Sequence, residues 1–210
     1  MLSSHFISTS GFVVLGAPVG IVIALLRSWR RRDGWWRLVV RLAIAVYAAV
    51  LIGLVFFPLP LPPWHVPPFD QGPAFEPWPL PWANLTPFAT IGSAIGLGPD
   101  WPQFWTLLGN IAAFVPLGVF VGLTWPDRRS WRRAFLLGLA ATVAIELTQL
   151  GVSLLMGYPY RYADIDDVIA NVGGALLGFG GFMTGDRAGR AFLPPRYVFW
   201  RPKGQLPGID

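Results

Sequence analysis

Residues 134–156 read AFLLGLAATVAIELTQLGVSLLM, an apolar run with one charged side chain, that of Glu146. A helix needs about 20 residues to cross the hydrocarbon layer of a membrane, so this run is long enough for one crossing. Small and polar side chains recur along it every three or four residues, at Gly138, Thr142, Glu146, Gln149 and Ser153. This spacing puts them on one helix face. Because a carboxylate at that depth is costly in lipid, we expect the face to point into a helical bundle.

The rest of the chain has a membrane protein's composition. Of 210 residues, 54% are hydrophobic and only 13% are charged, whereas about a quarter of a soluble domain is charged. Further candidate spans cover residues 11–26, which residues 6–10 can lengthen, and residues 38–57, 104–125 and 168–185. The predicted fold is therefore all-α, a polytopic membrane helical bundle with five transmembrane helices.

Basic residues predict the orientation of these helices. Fifteen of the 16 Lys and Arg residues lie in the segments 27–41, 128–133 and 187–203, and the remaining one is Arg161. Positive side chains accumulate in cytoplasmic loops. Five spans with the N-terminus outside and the C-terminus inside satisfy this rule at every connection, whereas four spans would place one basic cluster on the wrong side. Since topology accounts for these clusters, a nucleic-acid partner is not expected.

The span pattern divides the chain into four parts. Residues 1–58 hold two transmembrane helices and a basic cytoplasmic loop, and residues 59–103 form an extracytoplasmic loop. The remaining three transmembrane helices follow this loop and lie before residue 186, and residues 186–210 form a basic cytoplasmic tail. The segment 58–87 contains eleven prolines and three tryptophans, a composition that favours an extended chain. It is either a stiff connector with its tryptophans at the headgroup level or a lid over an outer pocket.

Polar side chains of several predicted spans fall in one outer layer. From a helical rise of about 1.5 Å per residue, Asn110, Gln149 and Asn171 lie roughly 5 to 12 Å below the outer surface, with Glu146 deeper. Arg161, Asp164 and Asp167 lie in the outer connection just above them. These residues form the candidate site, with Glu146 as the best candidate for catalysis and the other six for binding. Asn110 and Asn171 could instead hold helices together by hydrogen bonds.

Metal or thiol chemistry has little support in the sequence. The chain has no cysteine and only two histidines, His5 and His65. Asp164, Asp166 and Asp167 lack the spacing of a known divalent-metal site, and acids at this position also cap the N-terminus of a helix. We therefore expect no metal and no cofactor.

Four segments together resemble the VanZ-like family of bacterial membrane proteins. They are Asn84-Leu-Thr-Pro-Phe88, Asn110-Ile-Ala-Ala-Phe-Val-Pro-Leu-Gly118, Glu146-Leu-Thr-Gln149 and Arg161-Tyr-Ala-Asp-Ile-Asp-Asp-Val-Ile-Ala-Asn171, followed by glycines between 173 and 178. The resemblance covers about residues 84–185. It implies a multi-pass protein of the bacterial cytoplasmic membrane, with the seven candidate residues as the family's polar signature. The family's name-giving member is linked to resistance against the glycopeptide teicoplanin.

Three functions fit these observations. The first is binding or modification of a polar lipid or lipid-linked cell-envelope precursor in an outer-facing pocket, where Arg161 would hold an anionic group and Glu146 would act as base or charge partner. The second is a structural or accessory membrane subunit whose polar cluster fixes helix packing. The third is a small proton-coupled transporter that uses Glu146.

Overall fold

The computed structural model describes residues 6–7, 9–31, 35–57, 59–60, 83–125, 130–156 and 161–192. In these ranges the chain forms the helices α1 (Thr9–Arg31), α2 (Trp35–Phe56), α3 (Ala89–Leu97), α4 (Pro102–Thr124), α5 (Ser130–Met156) and α6 (Ile165–Phe192). Two-residue strands pair as β1 (Phe6–Ile7) with β2 (Leu59–Pro60) and as β3 (Ala83–Asn84) with β4 (Ala163–Asp164). The predicted all-α class is confirmed. The expectations for most of the proline-rich segment and for the tail from residue 193 lie outside the described residues.

Four described helices are long and apolar enough to cross a membrane: Trp35–Phe56, Pro102–Thr124, Ser130–Met156 and Ile165–Ala188. They match four of the five predicted spans. Helix α1 has 23 residues, and the apolar segment found in it among the described side chains, Ala17–Ser28, is shorter than a full span. The fifth span and the orientation of the termini therefore remain predictions.

Helix α3 was not predicted from the sequence, which assigned residues 59–103 to a loop. Its nine residues pack against the beginning of α4, and Ala94 is completely buried. The helix starts after Phe88, which has a left-handed backbone with φ of 66°. A phenylalanine in this region is strained, so surrounding contacts must hold it there.

Helices α4 and α6 form the closest pair in the bundle. A methyl group added at Gly174 or Gly178 of α6 would overlap the backbone carbonyl of Ile111 or Val115 on α4. A methyl group at Gly118 of α4 would likewise overlap the carbonyl of Ala175. Small residues let helix backbones approach in this way. The close packing does not extend to the later glycines of α6, since a methyl group at Gly181 or Gly185 would have no neighbour within 4 Å.

Hydrogen bonds between helices show which helix ends lie together. Gln149, near the end of α5, donates through Nε2 to the carbonyl of Val55, near the end of α2, at 3.1 Å. The pairing of β3 with β4 brings the chain before α3 to the start of α6. One end of the bundle therefore holds the end of α2, the end of α5 and the start of α6. The opposite end holds the described arginines of the basic clusters, including Arg41, Arg132 and Arg187.

Candidate functional site

The polar face of α5 points into the bundle, as predicted. The buried residues of this helix include Gly138, Thr142, Glu146, Gln149 and Ser153. Neighbouring positions are exposed on the outside of the helix, for example Leu147 at 64% and Leu154 at 60%. Burial thus follows the helical period of the sequence.

Glu146 joins α5 to the chain that leads into α6. Its Oε2 accepts a hydrogen bond of 3.0 Å from the backbone N–H of Asp164, and only 8% of the residue is exposed. Asp164 and Asp167 both lie within electrostatic reach of this carboxylate. Three acidic side chains therefore meet at this end of the bundle.

Asp164 organises the start of α6. Its Oδ1 accepts from the backbone N–H of Asp166 at 2.9 Å, which is the hydrogen bond of an N-terminal helix cap. Its Oδ2 accepts from the hydroxyl of Thr90 at 2.6 Å, and Asn84 donates to both Thr90 and Asp164. The capping interpretation of these acids therefore holds for Asp164, which also ties α3 to α6.

Asp166 supports the start of α3. It is 1% exposed, and its two carboxylate oxygens accept from the backbone N–H groups of Phe88 at 2.6 Å and Ile91 at 3.0 Å. These contacts explain why Phe88 can keep its left-handed backbone. The sequence indicated Asp166 as a possible cap for α6, whereas in the structure it binds a different helix.

A cavity opens beside Asp167, between α3, α4 and α6. It has a volume of about 270 Å³. Its polar lining consists of Thr90, Gln103, Thr106, Asp166 and Asp167, and its apolar lining consists of Ile91, Pro102 and Leu107. Asp167 Oδ1 accepts a short hydrogen bond from the amide of Asn110, and no hydrogen bond among the described residues uses Oδ2. Asp167 is thus held in place by Asn110 and at the same time lines the cavity.

The other candidate residues do not line this cavity. Asn110 reaches it only through Asp167, and Gln149 is engaged with the backbone of α2. Arg161 is exposed and exchanges backbone hydrogen bonds with the hydroxyl of Ser153 at 2.9 and 3.2 Å. Its guanidinium attracts the Asp167 carboxylate. The seven candidates thus gather at one end of the bundle, but only Asp167 contributes to the wall of the cavity.

Asn171 lies one helical turn deeper than Asp167. Its Nδ2 donates to Thr142 Oγ1 at 2.9 Å, and the residue is 4% exposed. Its Oδ1 is buried without a hydrogen-bond partner among the described residues. This contact corresponds to the interhelical role that the sequence left open for Asn171.

The remaining polar wall of the cavity was not predicted from the sequence. Thr106 and Gln103 precede Asn110 by four and seven residues, which is one face of a helix. If the helix face that carries Asn110 is followed back toward the start of α4, Thr106 and Gln103 are the next polar residues on it. Thr90 carried no comparable signal, because its position depends on the unpredicted helix α3. Within the described ranges, no group of three or more His, Cys, Asp or Glu residues is arranged to hold a metal ion.

The fold and this site define a class, a multi-pass helical membrane protein with a polar network at one end of its bundle. Comparison with protein families identifies the family. Residues 44–185 match the family model VanZ/LLP1, so the chain belongs to that family. The match begins within α2 and includes every candidate residue. No curated protein and no solved structure matches the chain.

Proposed function

We propose that this VanZ/LLP1 protein binds the polar headgroup of a membrane lipid or lipid-linked cell-envelope precursor in the cavity between α3, α4 and α6. The observation that carries the proposal is the carboxylate of Asp167 in the wall of a cavity that combines polar and apolar side chains. A concave site in which placed polar groups fix the orientation of a ligand is typical of small-molecule binding.

The lining indicates which chemical groups would fit. Asp166 is committed to the backbone of α3, so Asp167 is the carboxylate that can accept from an ammonium, amide or hydroxyl group of the ligand. The amide of Gln103 adds donors and an acceptor. The hydroxyls of Thr90 and Thr106 donate to Asp164 and to the carbonyl of Pro102, so toward a ligand they act as acceptors. Arg161, exposed near Asp167, would pair with a phosphate or carboxylate of the same headgroup. A zwitterionic headgroup, which carries one positive and one negative group, would pair with both Asp167 and Arg161.

The proposed location is the outer face of a bacterial cytoplasmic membrane, with five spans and the N-terminus outside. The basic clusters support this orientation, because their described arginines, such as Arg41, Arg132 and Arg187, lie at the opposite end of the bundle from the cavity. The ligand's acyl or isoprenoid chain would remain in the bilayer beside the exposed apolar residues of α3, such as Ile95, which is 63% exposed.

Filling the cavity tests the proposal. Thr106→Phe places a ring in the cavity, and Thr148→Phe is its matched control, since both threonines are exposed and donate to the carbonyl four residues earlier. Lipids that co-purify with each protein are identified by mass spectrometry. We expect a specific polar lipid with the native protein and with Thr148→Phe, and its loss with Thr106→Phe and Asp167→Asn. Equal lipid profiles in all four proteins would contradict the proposal.

The position of Glu146 favours binding of the ligand over its chemical modification. Its carboxylate faces the backbone of Asp164 and does not line the cavity, whereas a general base must reach the proton that it removes.

We further propose that ligand binding changes susceptibility to teicoplanin. A sensitive bacterium that expresses the native protein should show a changed inhibitory concentration, and expression of Asp167→Asn at the same level should not.

A structural or accessory role is the second candidate. It is favoured by the number of candidate side chains that bind each other or the backbone: Asn110 to Asp167, Gln149 to Val55, Glu146 to Asp164 and Asn171 to Thr142. Under this hypothesis, alanine at Asn110, Gln149 or Asn171 lowers thermal stability in detergent, and Thr106→Phe changes neither the lipid profile nor drug susceptibility.

A further inference from the structure

A second cavity lies between α1 and α2, away from the site described above. It has a volume of about 420 Å³. Two arginines, Arg27 and Arg41, form its charged part. Its apolar part consists of four small residues and two isoleucines: Gly20, Ala24, Ala45 and Ala48, with Ile23 and Ile44. A methyl group added at Gly20 would lie 3.2 Å from Ala45 Cβ. The two helices therefore approach closely at that point.

The two arginines are placed together by the antiparallel packing of the helices. Arg27 is near the end of α1 and Arg41 is near the start of α2. Arg41 Nη1 donates to the hydroxyl of Ser28 at 3.0 Å, and Ser28 is 6% exposed. This bond fixes the position of the Arg41 guanidinium at the edge of the cavity. Two guanidinium groups thus border one apolar groove.

The groove lies at the base-rich end of the bundle. Because Gln149 binds the end of α2 at the acidic end, the start of α2 with Arg41 belongs to the opposite end. Ala48 lies seven residues beyond Arg41, about 10 Å further along the helix. In a membrane, the arginines would therefore stand at headgroup level and the small residues would stand at the depth of the acyl chains.

We propose that this groove binds an anionic phospholipid of the cytoplasmic leaflet. The phosphate would pair with Arg27 and Arg41, since guanidinium groups bind phosphate through two parallel hydrogen bonds. One acyl chain would lie along Gly20, Ala24, Ala45 and Ala48. Charge complementarity selects this occupant, because the described lining holds two cations and no acid. Basic pockets between transmembrane helices on the cytoplasmic side recognise such lipids.

The test uses the full-length protein in detergent, titrated with phosphatidylglycerol or phosphatidylcholine and observed by native mass spectrometry. We expect one phosphatidylglycerol to bind in preference to phosphatidylcholine, and excess inorganic phosphate not to displace it. Arg27→Gln and Arg41→Gln should each weaken phosphatidylglycerol binding about fivefold, the size expected for one basic residue beside an anionic lipid. Ala48→Phe should abolish the tightly bound lipid while leaving the charge unchanged.

Arg132→Gln is the control, since it removes the same charge from an exposed position at the same end of the bundle. We expect this variant to bind phosphatidylglycerol as the native protein does. Equal binding of the two lipids, an unchanged affinity in Ala48→Phe, or an equal loss in Arg132→Gln would each overturn the proposal. Thermal unfolding of every variant without added lipid separates loss of the site from loss of the fold.

Discussion

The carboxylate of Glu146 and the backbone N–H of Asp164 form a hydrogen bond of 3.0 Å between residues 18 positions apart. This bond closes the connection between α5 and α6, and Asp164 in turn caps α6 and binds Thr90 of α3. A single buried acceptor on α5 therefore supports the start of α6 and, through it, one wall of the cavity. The location of Glu146 within an apolar span has a structural explanation in this contact.

Replacing Glu146 should separate its hydrogen bond from its charge. Glu146→Gln keeps an oxygen that can accept from Asp164, so we expect little change in thermal unfolding in detergent and no loss of co-purifying lipid. Glu146→Ala leaves a buried donor unsatisfied and should lower the free energy of unfolding by about 1–3 kcal/mol. Leu147→Ala, at an exposed neighbour, is the control for helix effects. Lipid loss in a stably folded Glu146→Gln would show that the carboxylate itself acts on the ligand.

The glycines of α6 should differ in their tolerance of a methyl group. Gly178→Ala introduces an overlap with the carbonyl of Val115, and we expect it to destabilise the protein by about 1–3 kcal/mol, as overpacking commonly does. Gly181→Ala meets nothing within 4 Å and should be neutral or stabilising by up to about 1 kcal/mol through helix propensity. The free energies of unfolding of both variants are measured by reversible unfolding in mixed micelles. Equal effects would mean that α4 and α6 are not packed as described.

The orientation of α5 could be predicted from the sequence because its polar residues repeat with the helical period inside an apolar run. Periodicity identifies a face and helical rise gives a depth, and both are local properties. Neither property shows which residues of the other helices a polar side chain contacts. Asn110 and Asp167 are 57 residues apart, and the sequence placed them near one level without indicating that they bind each other.

Helix α3 and the cavity could not be predicted for the same reason. The nine residues of α3 are too few for a span. The start of the helix depends on hydrogen bonds that the N–H groups of Phe88 and Ile91 donate to Asp166, which lies 78 and 75 residues away from them. The cavity is formed where α3 packs against α4 and α6. A site whose wall is set by such distant contacts has no continuous signature in the chain.

Removing the support of α3 should loosen that helix without unfolding the bundle. Asp166→Ala deprives the N–H groups of Phe88 and Ile91 of their acceptor. We expect hydrogen exchange at these two amides to accelerate by at least about tenfold, which corresponds to about 1.4 kcal/mol, while exchange in α4 and α6 stays unchanged. Asp100→Ala, at an exposed acid beyond α3, serves as control. Unchanged exchange in Asp166→Ala would show that other contacts hold α3.

The pair of Thr142 and Asn171 should contribute a small but measurable coupling between α5 and α6. Thr142→Val removes the acceptor of Asn171 Nδ2, and because Oδ1 already has no partner among the described residues, the whole amide is then left unsatisfied. Asn171→Ala removes the amide together with its unpaired oxygen. The two single variants should therefore lower the free energy of unfolding by different amounts. A double-mutant cycle of unfolding free energies should give a coupling of about 0.5–1.5 kcal/mol. Additive effects would mean that the two side chains do not bind each other in the membrane.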